Sequence, residues 1–106
     1  MKRIRLQHEY HDGSLKSVRF SDGDVTLVVD LDGHWNHQCV ERAFLTFHHV
    51  RNLDAVRAVF QAHPEETTVN YRDEIIGITK LDKTKYLVDL HRAGALELDC
   101  RGVSEI

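Results

Sequence analysis

Two residues, Asp22-Gly23, constrain the fold of this chain more than any others. They separate Leu15–Ser21 from Asp24–Leu31, two runs in which apolar and polar side chains largely alternate. Asp-Gly between such runs is a preferred pair for a two-residue type I′ hairpin. Both central residues take positive φ there, and the twist of the turn matches that of the strands. The loop fixes the register: Phe20 faces Val25, and Val18 faces Leu27. Strand side chains alternate with period two, so these four share one face with Val29 and Leu31. The opposite face carries Arg19, Thr26, Val28 and Asp30.

The same alternation marks further strands. A first runs from Lys2 to about His8 with Ile4 and Leu6, ahead of a turn at His11-Asp12-Gly13. Another lies near Cys39–His48, where Ala43, Leu45 and Phe47 alternate with Phe44, Thr46 and His48. Three more are expected over Tyr71–Lys80, Lys85–His91 and Ala95–Val103. Arg92-Ala93-Gly94 fits a three-residue hairpin loop with a left-handed glycine. That loop sets Ala95 opposite His91 and Asp89 opposite Glu97. One helix is expected, Leu53–Ala62. Asn52 suits its N-cap and Asp54 its first turn. Leu53, Val56, Val59 and Phe60 form its apolar stripe. Pro64, the single proline, restricts His63 and ends it.

The chain reads as one unit written twice. Val29-Asp30-Leu31 matches Val88-Asp89-Leu90, and the spacing of Phe47 to Val50 matches that of Cys100 to Val103. The alternative is that any two meanders look alike, because few residue types suit strands. A repeat turns Ile76 and Ile78 inward with Tyr86, Val88 and Leu90. A lone meander cannot bury its apolar face; two packed face to face, or joined at their edges and curved, can. The expected fold class is α+β, predominantly antiparallel β: two three-stranded meanders plus one short helix, in a single domain over residues 1–106.

The segment His11-Asp12-Gly13-Ser14-Leu15…Val18…Phe20 resembles the "HD-x-x-L-x-x-I-x-F" opening of small bacterial domains that include polymorphic-toxin immunity proteins. Phe47, Val50 and Leu53 match the F-x-x-V-x-x-L that follows in them. The resemblance spans about His8–Leu53. It implies binding rather than chemistry.

Composition narrows the function classes. A net charge of −3, with 14 scattered Lys and Arg, gives no general attraction to nucleic acid. No apolar run approaches the roughly 18 residues of a membrane helix. The N-terminal MKRIRLQHEYHDG lacks the apolar core of a signal peptide. Cys39 and Cys100 are expected as thiols in a reducing, cytoplasmic compartment, with Cys100 buried and inert.

Eight histidines raise the question of metal. Zinc needs three or four ligands converging at about 2 Å. His34 and His37 flank Trp35 in a loop, and His48 and His49 end a strand. Their spacing is no established zinc pattern, and adjacent strand residues point to opposite faces. No metal and no cofactor are expected. His11-Asp12 matches the paired ligands of metal-dependent phosphohydrolases, but those sit in helical bundles; here the pair suits a turn. No phosphate loop or nucleophile elbow is present, and no catalytic residue is assigned.

The leading expectation is a non-catalytic binding protein of immunity or regulatory type. It blocks a protein partner, a basic one, through an acidic sheet face carrying Asp30, Asp32, Asp89, Glu97 and Asp99. The alternative is a small-ligand-binding domain with a pocket near His34, Trp35 and His37. An enzyme using its histidines and carboxylates is the third class. Outward Val28, Phe44 and Leu87 call for a cover. The helix is the simplest; a homodimer formed through the edge of the final strand is another.

Overall fold

The computed structural model describes residues 2–3, 6, 9–31, 42–62 and 73–106. The Asp22-Gly23 turn forms with φ of 51° and 84°. It joins β2 (Gly13–Ser21) to β3 (Asp24–Asp30), with Phe20 opposite Val25 and Val18 opposite Leu27. Around this hairpin lie β1 (Lys2–Arg3), β4 (Arg42–His48), β5 (Asp73–Lys80), β6 (Lys85–Leu90), β7 (Gly94–Asp99) and β8 (Gly102–Glu105). The helix α1 spans Leu53–Ala62, as its stripe and cap dictate. The fold is α+β: the described residues form one antiparallel sheet of eight strands with one short helix.

The strand order is β7-β6-β5-β2-β3-β4-β8, with β1 paired to β5. The two ends of this path are successive pieces of one segment, bent at Cys100-Arg101. Its first half pairs with β6 and its second with β4. The sheet therefore closes on itself as a small barrel, and the meanders β2-β3-β4 and β5-β6-β7 are joined edge to edge rather than stacked as separate layers. This corrects the reading of Ala95–Val103 as one continuous edge strand.

The second seam is short. Gly13, Ser14 and Leu15 pair with Ile75, Glu74 and Asp73. A Cβ at Gly13 would lie 2.8 Å from Val29 Cγ1 and 2.9 Å from the Tyr10 carbonyl, so glycine permits this close approach. Around the seam the two meanders have matching registers. Leu15 pairs with Val29 and Val18 with Leu27, skipping Lys16; Ile75 pairs with Leu90 and Ile78 with Val88, with the register shifting past Ile76. Such bulges turn the strand by one extra residue. Val29 is thereby equivalent to Leu90, two residues away from the match read in the sequence. Ile76, expected inward, is 48 % exposed, whereas Ile75 and Ile78 are buried.

The interior holds Val25, Leu27, Val29, Leu45, Phe47, Tyr86, Val88, Leu90, Leu96 and Leu98, all buried; Val18, Phe20 and Leu31 pack half-buried against them. Tyr10 is buried too, and its hydroxyl donates to Glu105 at 2.8 Å, tying the approach to β2 onto β8. Burial, then Glu105, pushes the Tyr10 phenol far above its ordinary range. Cys100 is buried, and burial raises its thiol, the unreactive state of a cysteine.

The helix does not cover the outward residues Val28, Phe44 and Leu87. Val56 and Phe60 join the interior cluster, and the helix docks on β7. Asn52 does more than cap. Its carbonyl accepts the first helical bond from Val56 N–H at 3.1 Å. Its side-chain amide donates to the Glu97 carbonyl at 2.7 Å and accepts from Asp99 N–H at 2.9 Å. Arg51 N–H donates to the Asp99 carbonyl at 2.7 Å. These bonds occupy the flank of β7 that faces away from β6, so much of that edge is already paired. Val28 is only 3 % exposed although it faces outward. Phe44 lies opposite it, and Arg19 stacks 5.6 Å from the Phe44 ring.

His49 takes φ of 52°, where a β-branched side chain is strained. Replacing it with Val is expected to cost about 1–2 kcal/mol more than replacing it with Gly. Urea unfolding of the two variants checks this.

Candidate functional site

The carboxylates expected to act together divide between two regions. Asp89 lies on β6, and Glu97 and Asp99 on β7. Asp30 lies on β3, separated from β6 by β5 and β2 on one side and by β4 and the bent segment on the other. Asp30 is also engaged, holding Arg42 through Nε at 2.7 Å and Nη2 at 3.4 Å. Asp32 and the loop residues His34, Trp35 and His37 lie outside the described residues, as does Cys39.

On β6-β7 the expected opposition of Asp89 and Glu97 does not occur. Leu90 pairs with Gly94, so Asp89 faces Ala95, Glu97 faces Leu87 and Asp99 faces Lys85. The loop is His91-Arg92-Ala93, one residue earlier than expected, and Gly94 opens the strand at φ 79°. The cause is Asp73. This carboxylate, 1 % exposed, accepts Arg92 N–H at 2.8 Å, Ala93 N–H at 3.0 Å and Glu74 N–H at 2.8 Å. Its donors select the turn, and nothing in the local sequence of that turn reveals them.

The corrected register removes carboxylate crowding and leaves a mixed surface. Leu87 is half-buried at its centre, with Glu97 on one side and Thr79 on the other. Gly77 lies opposite Asp89, with open space where a Cβ would stand. Exposed Ala95 and Ile76 extend the apolar part. Lys85 Nζ is 4.0 Å from Glu97, and Arg51 Nη1 is 3.6 Å from Asp99. The Lys85–Glu97 pair is solvated and holds its partners weakly, by about 0–1 kcal/mol. One Asp99 carboxylate oxygen is buried and has no hydrogen bond among the described residues. This face can therefore offer a small apolar patch rimmed by the available carboxylates of Asp89 and Glu97.

A second polar array stands on the outer face of β3, β4 and β8, and the sequence reading did not assemble it. Thr26 and Thr46 share a hydroxyl hydrogen bond at 2.9 Å. One step along, His48 Nδ1 is 3.3 Å from Asp24 Oδ2, and His48 Nε2 is 2.6 Å from Ser104 Oγ. Asp24 is fixed in turn, because its Oδ1 accepts His49 N–H at 3.0 Å. That bond, followed by the His48 side chain, holds the Asp24 carboxyl below its ordinary value of 3.8. The signal that was missed is positional. Asp24 directly follows the turn, so it sits at the end of β3 beside the end of β4. Ser104 joins them only through the β4–β8 pairing.

Among the described residues no three His, Cys, Asp or Glu side chains converge as a metal site, and no helix is long and apolar enough to cross a membrane. Comparison with family models, curated proteins and solved structures found no match for this chain.

Proposed function

We infer that the chain is a binding protein, of immunity or regulatory type, that engages a basic protein partner through the outer face of β6 and β7. The observation that carries this reading is the surface around Leu87: apolar at its centre and rimmed by Asp89, Glu97 and Asp99. Interfaces join a desolvated apolar core to a charged rim, and rim charges select and steer the partner. Asp89 has no described cation within ion-pair reach, and the Lys85–Glu97 pair is long and solvated, so a partner's Lys or Arg competes for these two carboxylates at little cost.

Reversing charge on this face is the test. The protein with Asp89→Lys and Glu97→Lys should capture a basic partner from the source organism's lysate at least about tenfold less than the native protein, because opposed like charges cost several kcal/mol. Asp30→Lys, on the far side of the barrel, should leave capture unchanged. Raised salt should weaken native capture. Equal capture by the native protein and the double variant would remove this face as the binding surface.

A further inference from the structure

We propose that Ser104 is a nucleophilic serine, activated by His48 and oriented through Asp24, that reacts with small activated acyl esters. This goes beyond the binding reading, since the three residues lie on β8, β4 and β3 rather than on β6-β7.

The geometry of the array carries the argument. A carboxylate only accepts hydrogen bonds, so in neutral His48 the proton sits on Nδ1, facing Asp24 at 3.3 Å. Nε2 is then left as the acceptor, and the Ser104 hydroxyl, 2.6 Å away, is the donor. This is the order a base-activated serine requires: nucleophile to base, and base to orienting carboxylate. A carboxylate beside a neutral imidazole imposes this order in any cross-strand ladder; what sets this array apart is the 2.6 Å approach of Ser104 to Nε2 and the second bond on Asp24. That bond, from His49 N–H at 3.0 Å, keeps the carboxylate facing the ring. His48 and Asp24 have side chains 39 % and 32 % exposed, and Ser104 is exposed, so a small molecule reaches the hydroxyl from solvent.

The step balances with water as the only co-reactant. Ser104 Oγ bonds to the acyl carbon as its proton passes to His48 Nε2, while the ester C–O bond breaks and the leaving group departs with that proton. Water then gives a proton to His48 and its oxygen to the acyl carbon. The acid leaves, and Ser104 regains its proton. The imidazolium formed midway faces Asp24, which stabilises it. An open sheet face holds a substrate loosely, which suits esters with good leaving groups rather than amides.

The probes are p-nitrophenyl acetate and a fluorophosphonate label, applied to the full chain, with peptide mapping of the modified residue. The expected result is release of p-nitrophenol from the ester and a single stable fluorophosphonate label, at Ser104. The labelling rate should vary with pH and fall by about 100-fold in His48→Gln. Asp24→Asn should shift the pH midpoint of that profile, which a merely structural role would not move. Thermal melts of each variant separate lost chemistry from lost fold, and the native protein alone decides the site of labelling. Absence of modification in the native protein, modification at other serines, or an unchanged rate in folded His48→Gln would overturn the proposal.

Discussion

Phe47→Ala is expected to destabilise the protein by about 3–5 kcal/mol. Phe47 is fully buried, with Val25 opposite on β3 and Val103 opposite on β8. Its ring meets that of Tyr86 edge to face, 5.9 Å between centroids at 67°. Tyr86 belongs to β6, so this pair spans the interior between the two meanders. Alanine removes the ring from a site walled by backbone on all sides of a closed sheet, which cannot collapse freely to fill the space. Urea unfolding measures the loss. A change below about 1 kcal/mol would mean that the barrel interior is far looser than its burial implies.

Asp73→Ala should cost about 3 kcal/mol, although it removes a polar side chain. The carboxylate is buried, and its hydrogen bonds all come from backbone N–H groups, two of them in the β6–β7 turn. A charge is tolerated there because those donors replace water. Without it, Arg92 and Ala93 N–H lose their acceptor and the turn loses its anchor. Asp73→Asn should cost much less. The amide oxygen can keep the place of Oδ1, which serves Glu74 and Arg92, while its NH2 faces only the Ala93 donor. If both variants unfold at the same denaturant concentration, the carboxylate is not what holds this turn.

The features legible in the sequence were those decided locally. Asp22-Gly23 sets its own φ angles, so the β2-β3 register followed from two residues. The helix followed from Asn52, the apolar stripe and Pro64. Three long-range interactions escaped. The bulges at Lys16 and Ile76 have no residue signature: Ile76 is as apolar as its neighbours, yet it is turned outward by the seam that pulls Gly13–Leu15 against β5. The β6-β7 register depended on Asp73, far back in the chain. The bend at Cys100-Arg101 depended on β4 being available to receive Gly102–Glu105. The candidate sites inherited these limits. The acidic pair Asp89 and Glu97 was placed on the correct strands in the wrong register. Asp24 and Ser104 carried no signal, and His48 was weighed only as a metal ligand, until three strands brought them side by side.

Closure also governs the order in which this chain can assemble. The β2-β3 and β6-β7 hairpins join residues close in sequence and can form within microseconds. Both seams join residues remote in sequence, β2 to β5 and β4 to β8, and each must pay a loop-closure entropy before its contacts reward it. A ring gains its interior only when the second seam shuts. Refolding should therefore be limited by annealing of the seams rather than by turn formation, and backbone amides of β4 and β8 should gain exchange protection together, after those flanking Asp22-Gly23.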